Sequence, residues 1–199
     1  MKNKRNGWLL IGVLAGMIIG RLTIPDEVWG AEPVLIVPDG TTVIEDMNHP
    51  SMAEIDEAVE YLSANGVEVP EEIKAICEEV GKEYNLCPEL LQAVCWKESW
   101  FKADVVNASG TCHGLMQVNK GCHKNRMAKL GATDLYDPKD NIRVGADYLS
   151  ELFSQYEDTA TVLEIYNGDG AAASDPERTS GYAQKVINVS QALERAHWK

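Results

Sequence analysis

The chain has 199 residues, enough for one domain of ordinary size together with a leader and a connecting segment. Its 31 acidic residues outnumber its 18 basic residues, which gives a formal net charge of −13. Because nucleic acids bind basic surfaces, this charge excludes nucleic-acid binding as the main function. An anionic polymer would have to be held by a shaped groove, through hydrogen bonds and stacking.

The first 30 residues have the pattern of an export segment. Three basic residues precede an uninterrupted apolar run from Trp8 to Gly20. This run has the length of a signal-peptide core and is short for a membrane span. Val28 and Gly30 can occupy the −3 and −1 positions of a cleavage site. A cleaved signal peptide and a retained membrane anchor are the two alternatives, and both predict that everything after residue 30 is exported.

Residues 31–69 are predicted to form a partly extended spacer. The β-branched runs from Val34 to Val37 and from Thr41 to Ile44 flank the turn signal Pro38-Asp39-Gly40. Such runs predict a small hairpin or an extended segment. A capping box at Ser51 then predicts one helix, ended near Gly66, which we interpret as a connector or accessory packing without a chemical role.

Residues 70–199 are predicted to form a single, mainly α-helical globular domain. Helix-start signals stand at Pro70, Pro88, Asp137 and Asp158, each followed by an apolar stripe of helical period. The connections are short, and a glycine-rich segment between the second and third of these helices lacks periodicity. Such loop-rich segments often carry functional residues.

One of these helices places an acid on an inner face. Leu91, Val94, Cys95 and Glu98 share one side of the helix that follows Pro88. A carboxyl group at this position loses solvent, which raises its pKa and suits it to act as a general acid near neutral pH. The alternative is a glutamate that reaches solvent at the helix end.

All five cysteines lie beyond the export segment, where disulfides persist. Cys112 and Cys122 flank a short loop-like stretch and are the first candidates for a bridge, with Cys77 and Cys87 as the next pair. Cys95, on the inner helix face, is then expected to be a buried free thiol, although connectivity does not follow from sequence alone.

Two Cys-His dipeptides raise the question of a metal site. They are Cys112-His113 and Cys122-His123. Adjacent side chains diverge, and the separations match no common zinc spacing, so no metal is predicted. The sequence also implies no other cofactor.

Three further stretches offer groups suited to sugars. Gln117 and Asn119, in a segment that follows Gly114, can each donate and accept hydrogen bonds, as sugar hydroxyls and N-acetyl groups require. Tyr166-Asn167 puts an aromatic face beside an amide at a helix end, and Tyr182 follows later. Each stretch alone has an ordinary structural explanation, but together with Glu98 they indicate a saccharide site.

In this order the motifs resemble the lytic transglycosylases with a soluble-lytic-transglycosylase (SLT) domain, which share the lysozyme-like fold. The motifs that carry the resemblance are Glu98-Ser99, Gly114-Leu115-Met116-Gln117, Tyr166-Asn167-Gly168 and Tyr182. The resemblance covers about residues 70 to 199. It implies that peptidoglycan glycan strands are the partner and that membrane contact is confined to the N-terminal segment.

The resemblance implies that Glu98 is the sole catalytic acid/base. It would cleave the β-1,4 bond between N-acetylmuramic acid and N-acetylglucosamine and then accept the proton of the muramoyl C6 hydroxyl, leaving a 1,6-anhydro end. Two-carboxylate glycosidases instead use a second acid. By the same matching, the substrate-binding residues are Ser99, Met116, Gln117, Tyr166, Asn167 and Tyr182.

The family pattern usually has glycine where this chain has Asp169. This departure keeps open a lysozyme-type hydrolase, in which Asp104 or Asp169 activates water. A third alternative, of another class, is a non-catalytic wall-binding or secretion-apparatus module. The resemblance also implies a setting in wall turnover, conjugation channels or phage entry, and the sequence does not choose among these three.

Overall fold

The structure, a computed structural model, describes residues 35–36, 42–43, 50–175, 177 and 179–198. The predicted export segment and the predicted turn at Pro38-Asp39-Gly40 lie outside the described residues. The α-helices within them are α1 Met52–Ala64, α2 Glu71–Tyr84, α3 Pro88–Ser99, α4 Lys124–Leu130, α5 Pro138–Gln155, α6 Thr159–Tyr166 and α7 Tyr182–Ala196. A short 3-10 helix, Gly170–Ala173, follows α6.

Two antiparallel pairs of two-residue strands accompany the helices. In the first pair, β1 Leu35–Ile36 lies antiparallel beside β2 Thr42–Val43. In the second, β3 Cys112–His113 lies beside β4 Val118–Asn119 within the glycine-rich segment. None of the helices described here is both long and apolar enough to cross a membrane.

The helices begin where their capping residues predict. Ser51 accepts a hydrogen bond from the backbone of Glu54 at 3.3 Å, and Glu54 accepts one from the backbone of Ser51 at 2.8 Å. Pro88 occupies the first turn of α3, where a missing N–H costs nothing. Asp137 and Asp158 each accept a hydrogen bond from the N–H three residues on, at 2.9 and 2.7 Å. The predicted helix starts are therefore confirmed, and each is set by residues next to it in the sequence.

α3 lies at the centre of the core. The side chains from Leu90 to Trp96 are each at most 7% exposed, and α3 packs against α2 and α7. Leu91, Val94 and Cys95 are fully buried, as predicted, but the other faces of α3 up to Trp96 are buried too. Burial of one such aliphatic side chain stabilises a fold by about 1.5–3 kcal/mol, so α3 is fixed in position and orientation.

α1 packs along α7. Its buried side chains Ile55, Ala58 and Leu62 follow the predicted stripe. Ala58 and Leu62 join the same apolar cluster as the side chains of α3. α1 therefore takes part in the packing of the globular part, while the division of the chain at residue 70 stays a prediction.

The predicted disulfides are wrong in this structure, since all five cysteines are free thiols. Cys77 is fully buried in the core against Cys95, and Cys87 instead contacts two glutamates. Cys112 pairs with Asn119 in the β3–β4 hairpin, while Cys122 lies exposed beyond it. The predicted burial of Cys95 is confirmed.

Candidate active site

Glu98 lies in the last turn of α3, just before the chain turns away. The helix ends at Trp100, whose N–H donates to the carbonyl of Trp96 at 2.9 Å. Trp100 and Phe101 both adopt left-handed backbone conformations, with φ of 54° and 59°. Such conformations are unusual for bulky residues. Trp100 is 58% exposed and its ring meets that of Trp96 edge-on, whereas Phe101 is half-buried against the core. The turn leaves the Glu98 side chain half-buried at the end of a rigid helix.

The carboxyl group of Glu98 is paired with the phenol of Tyr182. Tyr182 Oη donates to Glu98 Oε1 at 2.6 Å, a short distance that is typical of a hydrogen bond to an ionised acceptor. Burial raises the pKa of Glu98, although the Tyr182 hydrogen bond and the nearby Lys97 act to lower it. Glu98 is therefore protonated over a wider pH range than an exposed glutamate and can serve as a proton donor.

Tyr166 is the second phenol beside this carboxyl group. Its hydroxyl donates to the carbonyl of Met116 at 2.9 Å, which links the end of α6 to the loop before β4. Burial, followed by the negative charge of Glu98, raises the pKa of Tyr166. Burial and the charge of Glu98 likewise raise the pKa of Tyr182. Both phenols therefore keep their protons and frame Glu98 as neutral polar groups.

Glu164, which sequence reasoning did not single out, fixes the start of α7. Its carboxylate is 1% exposed and accepts from Thr179 Oγ1 at 2.9 Å, from Ser180 Oγ at 2.6 Å and from the N–H of Ala183 at 3.2 Å. A buried carboxylate with three donors is strongly held, and Tyr182 lies between two of its partners. Glu164 therefore sets the position from which Tyr182 reaches Glu98.

Asn141 performs a similar role for the loop that contains Met116. It is fully buried on α5, and its amide nitrogen donates to the carbonyls of His113 and Leu135, both at 2.8 Å. Its amide oxygen accepts from the N–H of Met116 at 2.8 Å. The loop backbone that receives the Tyr166 hydrogen bond is thus attached to a helix of the core.

Two residues predicted to line the groove are used inside the fold. Met116 is fully buried, and a Cβ at Gly145 would lie 2.6 Å from its Sδ, so its side chain packs against α5 and offers no surface to a sugar. Gln117 has a φ of 46°, and its amide nitrogen donates to the carbonyls of Val105 and Gly114 at 3.1 and 3.0 Å. In this structure both residues therefore shape the loop.

The remaining predicted site residues have the following surroundings. Ser99 donates to the carbonyl of Cys95 at 3.0 Å, and exposed Asn167 caps the end of α6. Asn119 accepts from the N–H groups of Gly121 and Cys122 at 3.0 and 3.1 Å, in the turn after β4. Their roles in binding a saccharide stay predictions.

The two aspartates of the hydrolase alternative are placed differently from Glu98. Asp104 is exposed on the loop after α3. Asp169 accepts from the N–H of Ala171 at 3.2 Å and caps the 3-10 helix. The Glu98 carboxyl group instead accepts a hydrogen bond from Tyr182.

A partly buried glutamate with a raised pKa, at the end of a central helix and beside two phenols, is suited to proton transfer, and the mainly helical domain has the lysozyme-like fold. The sequence model of the transglycosylase SLT domain matches residues 75–188. The chain belongs to this family, and so to the lytic transglycosylase class of enzymes. The resemblance that the motifs indicated is thereby confirmed.

Individual relatives agree with this assignment. The X polypeptide of Escherichia coli is 32% identical over 121 residues, which is 57% of this chain and 71% of that protein. A protein of Enterobacteria phage PRD1 named transglycosylase is 35% identical over 105 residues, 53% of this chain and 38% of that protein. An X-ray structure of an inactive mutant of the lytic transglycosylase Slt from Pseudomonas aeruginosa matches with a TM-score of 0.54 and 25% identity, over 66% of this chain and 25% of that one.

Proposed function

We propose that this protein is an exported peptidoglycan lytic transglycosylase that cleaves the β-1,4 bond between N-acetylmuramic acid and N-acetylglucosamine, with Glu98 as the only catalytic acid/base. The observation that carries the proposal is the contact between Glu98 and Tyr182 at the end of α3, in a chain of the SLT family. Burial raises the pKa of Glu98, as a general acid requires.

The reaction would run in two proton transfers at one carboxyl group. Protonated Glu98 gives its proton to the departing glycosidic oxygen as the bond from C1 breaks. The carboxylate then takes the proton of the C6 hydroxyl while O6 attacks C1, so no water is consumed and a 1,6-anhydro end forms. The Tyr182 hydroxyl stabilises the carboxylate between the two transfers, since it donates to Oε1.

The surroundings of Glu98 support the lyase over the hydrolase. A hydrolase of the lysozyme kind needs a second carboxylate that acts at the sugar. The first candidate, Asp104, is exposed on a loop, and the second, Asp169, caps the 3-10 helix. Neither aspartate is among the groups that shift the pKa of Glu98, which favours the C6 hydroxyl of the substrate as the nucleophile.

Mass spectrometry of muropeptides released by the purified chain tests the proposal. The wild type should release 1,6-anhydromuropeptides, and Glu98→Gln should reduce release by at least about 100-fold, because it removes the acid and the base together. Glu79→Gln is the matched control, since Glu79 is exposed in a surface pair with Lys139 at 2.8 Å. Reducing ends that carry oxygen from labelled water, lost on Asp104→Asn, would refute the lyase and establish the hydrolase.

The same proposal places the domain outside the cytoplasmic membrane, where peptidoglycan lies. Its support is the basic and apolar N-terminal segment. In intact spheroplasts, external protease should degrade the full chain while a cytoplasmic marker stays protected. Protection of the chain under these conditions would contradict export without affecting the cleavage chemistry.

A further inference from the structure

A second cluster of polar side chains lies away from Glu98, where the start of α3 meets the end of α7. Cys87 precedes α3 and Glu89 lies in its first turn, while Glu194 lies near the end of α7 and His197 follows it. Cys87 Sγ is 3.2 Å from Glu89 Oε2 and 3.1 Å from Glu194 Oε1. His197 Nδ1 is 3.3 Å from Glu89 Oε1. Three potential metal ligands, Cys87, Glu89 and Glu194, therefore meet at one place, and His197 contacts Glu89 through the other oxygen of its carboxyl group.

The three acidic groups share a small space. A thiol has one hydrogen, so Cys87 can donate to only one of the two carboxyl groups near its sulfur. A cation bound between the sulfur and the two carboxyl groups would interact favourably with all three at once.

The separations suit tetrahedral coordination. With metal–sulfur bonds of about 2.3 Å and bonds to oxygen and nitrogen of about 2.0–2.2 Å, the ligand atoms of a tetrahedral zinc site lie about 3.3–3.6 Å apart. The two sulfur–oxygen contacts, 3.1 and 3.2 Å, are slightly shorter than these values. The ligand atoms of Cys87, Glu89 and Glu194 all lie within 4.8 Å of one another. Only small side-chain shifts are needed to accommodate an ion.

The chemistry of the ligands indicates which ion fits. A thiolate is a ligand for zinc and related transition metals, whereas calcium and magnesium select oxygen ligands alone. Sequence spacing could not reveal this set, because 107 residues separate Cys87 from Glu194. Glu194 and His197, three apart, lie on one side of the end of α7.

We propose that Cys87, Glu89 and Glu194 bind one zinc ion that joins α3 to α7, with His197 as the hydrogen-bonding partner that orients Glu89. Glu98 is nine residues beyond Glu89, so the ion lies about 14 Å along α3 from the Glu98 carboxyl, at a rise of about 1.5 Å per residue. The two helices are antiparallel, since Glu98 contacts Tyr182 at one end and Cys87 contacts Glu194 at the other. The ion would hold the start of α3 against the end of α7 and so help to keep Glu98 within hydrogen-bonding distance of Tyr182.

The test uses the purified full chain under a reductant, loaded with zinc or cobalt alone. We expect one zinc per chain by elemental analysis, a melting temperature that falls on chelation and recovers with zinc, and a thiolate-to-cobalt charge-transfer band with Co²⁺. Cys87→Ser should abolish the band and weaken zinc binding by more than about 10-fold, the loss that follows when even an outer partner of a metal ligand is removed. Cys122→Ser, at an exposed cysteine, is the matched control and should change neither.

His197→Gln provides a second variant at an accessible position, so the test does not depend on the folding of Cys87→Ser. It should keep the helical circular dichroism and the cobalt–thiolate band while lowering zinc affinity. The proposal is overturned by absence of the band in the wild type, by zinc content and melting temperature that do not respond to chelation, or by a band that Cys122→Ser abolishes and Cys87→Ser does not. These readouts are independent of muropeptide release, so either proposal can fail without the other.

Discussion

Replacement of Tyr182 by phenylalanine removes one oxygen atom from the candidate active site and leaves the packing of the ring. The hydroxyl donates to Glu98 Oε1 at 2.6 Å, and Tyr182 is 5% exposed, so water cannot fully replace it. A hydrogen bond to a charged group contributes about 1.5–3 kcal/mol. At about 1.36 kcal/mol for each factor of ten, kcat/KM should fall about 10- to 150-fold.

The same substitution has a definite effect on pH dependence. The Tyr182 hydrogen bond lowers the pKa of Glu98 against the effect of burial, so its loss raises that pKa further. Because the first step needs protonated Glu98, the alkaline limb of the kcat/KM profile should move to higher pH. A merely structural role for Tyr182 would lower activity without moving this limb.

Muropeptide release measured from acid to alkaline pH checks this prediction. Tyr61→Phe is the matched control, because Tyr61 is a half-buried tyrosine of α1. The reasoning would be refuted if folded Tyr182→Phe kept the wild-type kcat/KM within about twofold and the wild-type profile, because a loss that small lies below the contribution of any charged hydrogen bond.

Three further substitutions test the framework around the site. Burial acts to raise the pKa of Glu164, but hydrogen bonds, led by that of Ser180, lower it below its usual value. The ionised carboxylate therefore stabilises the fold above the unfolded-state pKa of about 4.3, and this stabilisation is lost as the pH falls through the lower pKa of the folded state. Glu164→Gln should therefore lower the free energy of unfolding at pH 7 by about 1.5–3 kcal/mol and flatten its decline in acid, measured by urea denaturation; equal acid slopes would contradict this. Asn141→Ala removes the side-chain partner of three backbone groups, two of them in buried hydrogen bonds, and should cost about 3 kcal/mol or more in the same assay, so a loss below about 1 kcal/mol would argue against the Asn141 hydrogen bonds. Gly145→Ala places a Cβ 2.6 Å from Met116 Sδ and should cost about 1–3 kcal/mol through overpacking, and an unchanged melting temperature would contradict that contact.

Much of the fold follows from local sequence signals. The helix starts at Ser51, Pro88, Asp137 and Asp158 depend on a side chain and the next three residues, so sequence alone identifies them. Helical periodicity likewise predicts the burial of Leu91, Val94 and Cys95, but it does not predict that the other faces of α3 are also buried. The proximity of Glu98 and Tyr182, 84 residues apart, required the family resemblance.

Side-chain direction within loops was not predictable. Gln117 folds back onto the carbonyls of Val105 and Gly114 because its backbone is left-handed, a conformation that only the tertiary structure imposes. Met116 is buried because Gly145, on a helix 29 residues later, leaves room for it. The disulfide prediction failed for a similar reason, since spacing along the chain does not report the distance between thiols.

The packing of α1 on α7 bears on how the domain can be shortened. A fragment limited to residues 75–188, the span of the family match, would lack the helix that covers α7 through Ile55 and Leu62. It would also end within α7, which runs to Ala196. Apolar surface so uncovered favours association between copies. Fragments intended for crystallisation or for assays should therefore begin before Ser51 and continue beyond His197.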